Sequence, residues 1–220
     1  MKYKWYDISH VYEEGIKEGY GHLPLKIEHV TNVTGSKITN ITINSHSGTH
    51  IDAQYHFIDN GLTIDLYPPE FFAGLAAILN IPKSELEPIT YEDIKSYSKL
   101  LEKVDFVFIR TGWEDLWGED SYTWKYPYIL PEAANLLTKF KIRIVGTDTI
   151  SPDPSVKSGL RNGSPVHDVL LKNNILIIEN LTNLKPLIEK IVETFCFPLK
   201  IKNGDGSPVR VVAREPIDKN

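Results

Sequence analysis

Four short runs constrain the fold more than anything else in this chain: 104–111 (VDFVFIRT), 142–147 (IRIVGT), 175–179 (ILIIE) and 209–214 (VRVVAR). The first three are largely apolar and read as strands buried on both faces, and the fourth reads as a last strand. A fifth run, 37–44 (KITNITIN), is β-branched and sets Ile41 and Ile43 on one face, as a half-buried strand would. Helical patterns lie between them. Thr90 and Asp93 resemble a capping box that opens a helix through Lys103, with Ile94, Tyr97 and Leu101 on one side. Pro131 opens a second helix over 131–141, and Ser164 with Pro165 forms an N-cap and N1 pair for a third through Lys172. That start places His167 in the first turn. Strands outnumber helices in a mixed order, so the expected fold is α/β, with a mixed β-sheet curled toward a barrel and flanked by helices. No repeat, low-complexity tract or long linker interrupts it, and a single domain over 1–220 is expected.

Length and composition close off other classes. Two hundred and twenty residues, 41% of them hydrophobic and 24% charged, suffice for one substantial core and exclude disordered or fibrous chains. The net charge is −5 and the basic residues are scattered, so no nucleic-acid partner is expected. No stretch reaches the eighteen or more apolar residues of a membrane span, and MKYKWYDISHVYEEG lacks the apolar run of a secretory signal. Cytoplasmic localisation is the expectation. The lone Cys196 rules out a disulfide framework or a Cys-rich zinc site and reads as a small core hydrophobe.

The chemistry concentrates in one window, HSGTHIDAQYHF, which holds three of the seven histidines (His46, His50, His56) and Asp52. In a straight strand His46 and His50 would lie about 13 Å apart, too far to share an ion. Gly48 allows the chain to turn between them. His50 and Asp52, two residues apart, project from one strand face about 7 Å apart at the backbone and can converge on one metal. Two imidazoles and a carboxylate suit Zn²⁺, Mn²⁺, Co²⁺ or Fe²⁺. Surface or capping roles are the ordinary alternative for an isolated histidine, but not for a cluster with a glycine hinge and an intervening carboxylate. Three tryptophans and three tyrosines over 113–128 suit a pocket lid, a subunit contact or plain surface packing. The DGS at 205–207 reads as a turn, Asp148 and Asp153 as turn or cap residues, and His10, His22 and His29 receive no role.

The same window resembles the H-x-G-T-H-x-D-x-P-x-H-F motif of the metal-dependent cyclase family, whose best-known members are bacterial kynurenine formamidases. WYDIS near the start, RTGW at 110–113, GTDTISPDP at 146–154 and PLKIKNGDGSPVR at 198–210 extend the resemblance along the chain. It implies the swivelling β/β/α fold and a homodimer or larger homo-oligomer. It also implies that His46, His50 and Asp52 bind metal and that His56 donates and accepts protons. His167, with Glu179 twelve residues later, would complete a second metal site. The implied cofactor is a divalent metal, two ions per chain, zinc or manganese. A carboxylate at the end of an apolar strand, as Glu179 is, needs a partner if it faces inward.

Two departures from the pattern bear on substrate contacts. Gln54 stands at the motif proline, and the stretch after WYDIS carries Tyr12 and Tyr20 where family formamidases have a substrate-stacking Trp. Gln54, Tyr12 and Tyr20 are therefore candidates for touching a small-molecule substrate. The expected activity is metal-dependent hydrolysis of an amide, formamide or cyclic-amide C–N bond. No G-x-S-x-G elbow is present, which argues against a serine nucleophile. A non-haem iron oxygenase using the H-x-D…H pattern of His50, Asp52 and His167 is one alternative, though it leaves His46, His56 and Glu179 without a task. A non-catalytic metal- or ligand-binding protein is the other; it would have a closed coordination shell and no spare base.

Overall fold

A computed structural model describes residues 2–16, Gly19 and 21–217. Strand β1 (Tyr3–Asp7) is followed by a hairpin of β2 (Lys26–Thr31) and β3 (Lys37–Thr42), then by β4 (His50–Asp52) and β5 (Ala73–Asn80). Next come β6 (Pro88–Ile89), α1 (Tyr91–Lys95), α2 (Ser98–Leu101) and β7 (Phe106–Arg110). The chain continues through β8 (Tyr128–Ile129), α3 (Pro131–Leu137), β9 (Ile144–Thr147), α4 (Pro165–Lys172) and β10 (Leu176–Glu179). It closes with β11 (Ile191–Phe195), β12 (Gly206–Pro208) and β13 (Val212–Pro216).

Nine of these strands form one curled sheet in the order β1-β13-β11-β5-β7-β9-β10-β4-β12. The central four, β5, β7, β9 and β10, run parallel, and antiparallel strands flank them on both sides. This is the expected mixed α/β sheet. Every residue of β7, β9 and β10 is buried, as expected of their largely apolar runs. Fully burying each such Ile, Val, Leu or Phe side chain contributes about 1.5–3 kcal/mol. Cys196 lies inside the same core.

Several local expectations are corrected. Most of the 37–44 run is not half-buried: β3 pairs only with β2 and all six of its residues, Ile41 included, are exposed, because no third layer covers that hairpin among the described residues; only Ile43 and Asn44 beyond it are partly covered. The helix expected from 91 to 103 is two short ones. The Thr90–Asp93 capping box is present, but Ser96 and Ser98 hydroxyls donate to the carbonyls of Asp93 and Lys95 and compete with a continuous ladder. The last strand is shifted from 209–214 to Val212–Pro216. Ser164 occupies the N-cap of α4 without a side-chain bond to the helix amides, and Asp153 supplies the cap instead.

Candidate metal centre

The centre begins with one pair in the β4–β10 ladder. His50 lies directly opposite Glu179, so both side chains leave the sheet on the same face, and Asp52 follows two residues on. His50 Nε2 is 3.2 Å from Glu179 Oε2 and 3.4 Å from Asp52 Oδ1. Gly48 turns the chain at φ 55°, bringing the His46 ring edge-on to His50 with centroids 5.1 Å apart. His46 Nδ1 reaches Asp52 Oδ1 at 2.7 Å. Gly206 on the neighbouring edge strand makes room: a Cβ there would sit 2.7 Å from Ile51 O and 3.0 Å from His46 Cε1. His167 enters from the first turn of α4, with Nε2 3.5 Å from Asp52 Oδ2 and 3.4 Å from Glu179 Oε1.

Each of these three rings is held from behind. His50 Nδ1 donates to Gly48 O at 2.9 Å, His167 Nδ1 to Asp153 Oδ2 at 2.6 Å, and His46 Nε2 to Asp205 Oδ2 at 2.9 Å. An acceptor behind one ring nitrogen, with the other turned toward the inner carboxylates, is how metal-ligating histidines are oriented. Burial by itself would lower the imidazole pKa values. The carboxylates outweigh it, raising His46 to about 9, His50 to about 10 and His167 well above its ordinary value. Burial would likewise raise the acids, yet the imidazoles hold Asp52 well below and Glu179 below the carboxylate range.

The donor set fits a divalent metal. His50 Nε2 and Asp52 Oδ2 are buried without a directed hydrogen bond, and a cation between them would satisfy both. Two trios, His46–His50–Asp52 and Asp52–His56–His167, each bring their ligand atoms within 4.8 Å of one another, with Asp52 common to both. His46, His56 and Asp205 form a third such group.

His56 sits beside the cluster with its side chain a quarter exposed. Its ring lies 3.9 Å from that of His46, and its Nδ1 is 3.6 Å from Asp205 Oδ2. All six residues singled out for metal and proton chemistry thus converge. Two of the candidate substrate contacts, Gln54 and Tyr12, do not. The Gln54 amide is taken up by backbone, donating to Leu171 O and accepting from Leu62 N. Tyr12 donates its hydroxyl to the carbonyls of Ser47 and Thr49 and braces the turn. Tyr20 lies outside the described residues.

A cavity of about 570 Å³ opens onto His46, His56, His167 and Glu179, and Phe57, Trp124, Tyr126 and Ile150 also line it. The aromatic stretch therefore divides: Trp113, Tyr122 and Tyr126 form a buried satellite core with Ile150, while Trp124 is a cavity wall. Sequence reasoning missed several residues. Asp205, in a bend just before β12, is also the partner of His46 and His56, joined through a tertiary contact that no local spacing announces. His22, given no role, lines the cavity with its ring 6.1 Å from His46.

Fold and site together define the class: an α/β protein whose curled mixed sheet carries, at the β4–β10 ladder, His and Asp groups that could hold a divalent metal. The family model for putative cyclases matches residues 6–154, and the chain belongs to that family. Kynurenine formamidase of Bacillus cereus is 30% identical over 214 residues, covering 96% of this chain and 97% of that protein. Kynurenine formamidase of Geobacillus thermodenitrificans is 31% identical over 219 residues, covering 98% and 99%. Among solved structures, isatin hydrolase A from Labrenzia aggregata, bound to benzyl benzoate, superposes with a TM-score of 0.84 at 27% identity, covering 96% of this chain and 93% of that one. A predicted metal-dependent hydrolase from Bacillus stearothermophilus gives 0.81 at 26%, covering 98% and 100%.

Proposed function

We infer that this chain is a metal-dependent hydrolase of a non-peptide C–N bond, in an amide, formamide or cyclic amide, with His56 as its proton shuttle. One observation carries the reading. His56 faces the cavity next to the cluster with its side chain a quarter exposed, while His50 and His167 are buried and His46 is held between Asp52 and Asp205. Relatives named for formamidase and isatin hydrolase chemistry support the bond type. Two divalent ions, zinc or manganese, would be held by His46, His50 and Asp52 on one side and by His167 and Glu179 on the other, with Asp52 available to both. Such ions supply Lewis acidity to the carbonyl and make water acidic enough to attack at neutral pH. Asp205 holds the His46 ring and lies within electrostatic reach of His56. His56 takes the proton of the attacking water and delivers it to the leaving nitrogen.

The test is His56→Ala in the metal-loaded protein, assayed on formyl-anilides, isatin-like lactams, cyclic imides and lactones. Metal content and thermal melting should match the parent while kcat falls about 10²–10⁴-fold, the usual worth of a positioned acid–base group. Loss of metal would make His56 a ligand, and an unchanged kcat would remove it from the mechanism.

The exposed hairpin, which isolated in water would be marginal, supports a homodimer or larger homo-oligomer. A single buried thiol suits a reducing cytoplasm, and no helix among the described residues is long and apolar enough to cross a membrane.

A further inference from the structure

Two cavity residues sit on a loop that opens at Gln54. The chain leaves β4 at Asp52, makes a single 3-10 turn over Gln54–His56 and returns to extended backbone at Thr63. His56 and Phe57, from the start of this loop, both line the cavity. Their rings meet edge to face with centroids 4.5 Å apart, and the Phe57 ring lies 4.5 Å from that of His167. Packing gives the far limb little hold: Leu62 is 43% exposed, and Asp59 and Asn60 face solvent.

Hydrogen bonds hold the loop instead, and Gln54 is at their centre. Its carbonyl accepts from Phe57 N at 3.2 Å and Ile58 N at 2.9 Å. Its side-chain Oε1 accepts from Leu62 N at 3.2 Å, beside the bond from Tyr55 N to Leu62 O, so the two limbs are joined twice. Gly61 closes so tightly on Gln54 that a Cβ there would lie 2.8 Å from the Gln54 carbonyl carbon. The amide nitrogen, Nε2, donates to Leu171 O at 2.9 Å, in the last turn of α4, where carbonyls lack helical partners. Leu62 offers only an N–H and Leu171 only a carbonyl, so one orientation of the amide satisfies both. A single side chain thus closes the loop that carries His56 and fastens it to the helix that carries His167.

Proline, the residue of the motif that this window resembles, offers no amide and would stiffen the same turn through its ring. The backbone here is ready for it: Ala53 has φ −88° and ψ 166°, the conformation of a residue before proline, and the first position of a helical turn tolerates the missing N–H. Ring and amide are two ways of keeping one turn in one conformation.

We propose that Gln54 is a positioning residue that holds His56 at the reacting centre, its amide closing the 54–62 loop and fastening it to α4 in place of a proline ring. This deepens the hydrolase reading and rests on it for the task of His56, whereas the closure of the loop is measured without any reaction.

Gln54→Ala and Gln54→Pro are compared with the parent. In the metal-loaded proteins, assayed on the compounds used for His56→Ala, kcat should fall about 10- to 100-fold in Gln54→Ala, as for a catalytic group displaced by about 1 Å, with KM and metal content unchanged. Gln54→Pro should regain most of that kcat. A contribution to overall stability alone would lower the melting temperature without this split between kcat and KM and without this rescue. In the metal-free proteins, amide hydrogen exchange is followed by mass spectrometry on fragments covering 55–62 and 170–174. Both should exchange about 5-fold faster in Gln54→Ala, as for loss of an ordinary hydrogen bond. In Gln54→Pro the first fragment should return toward the parent rate while the second stays fast, because nothing then reaches Leu171 O. Parent exchange rates or an unchanged kcat in Gln54→Ala would overturn the proposal. A loss that appears in KM would make Gln54 a substrate contact, and a kcat that proline leaves unrestored would deny the equivalence of ring and amide; either overturns it as well. Should the parent cleave none of the compounds, the hydrolase reading fails by itself, and the exchange rates alone decide what Gln54 does.

Discussion

Asp205 joins two side chains that the chain order keeps apart, accepting from His46 Nε2 while facing His56 Nδ1. Partners behind a ligating imidazole typically change metal affinity 10- to 100-fold, so Asp205→Asn should weaken metal binding by about that factor. Competition with a chromogenic chelator measures it, and parent affinity in the variant would remove Asp205 from the centre. His167 supplies a sharper test of ion number. Its ring approaches Asp52 and Glu179 from the side opposite His46 in sequence, on a separate element. Titration calorimetry of the metal-free protein should show two binding events per chain, and His167→Ala should delete one. A single event in the parent, with both zinc and manganese, would leave no second ion.

Elements are held to one another by buried acids, and Asp148 shows what that costs. It follows β9 and accepts from Thr111 N, Thr111 Oγ1 and Gly112 N, tying the end of β7 to its neighbour. Complete burial pushes its pKa up to about 6, the donors from Thr111 and Gly112 offsetting only part of that. Because the folded value lies above the ordinary 3.8, the native state holds the proton more tightly than the unfolded chain does. This contribution is complete below about pH 3.8 and is lost as pH rises through about 6. Asp148→Asn does not titrate. Its unfolding free energy relative to the parent should therefore climb between pH 4 and pH 7, by up to about 3 kcal/mol. Urea unfolding of both proteins at four pH values reads the slope, and a flat difference would mean that Asp148 is ionised throughout. The same scale explains the broken helix after Thr90: the capping box is local and legible, but serine back-bonding decides where the helix stops.

At the scale of the whole molecule the exposed β2–β3 hairpin is the feature that points beyond one chain. Ile38 and Ile41 are 44% and 57% exposed, so Ile38→Asp with Ile41→Asp should leave the fold intact while lowering the sedimentation mass to that of one chain. A parent with the mass of one chain, or an unchanged mass in the variant, would remove the hairpin as a subunit contact. The apolar runs at β7, β9 and β10 and the cap at Thr90 could be read directly, because burial on both faces and local hydrogen bonding leave a signature within a few residues. The histidine window was equally legible, since Gly48 and the alternation of His50 and Asp52 act over only seven positions. The pairing of His167 and Glu179 with that window came from family resemblance, and β-ladder register together with the α4 cap brings them there. Exposure of the hairpin, the partnership of Asp205 with two histidines and the hold of Gln54 on α4 belong to tertiary structure alone. Each depends on which surfaces meet across more than a hundred residues, and no periodicity or spacing within the chain encodes such a contact.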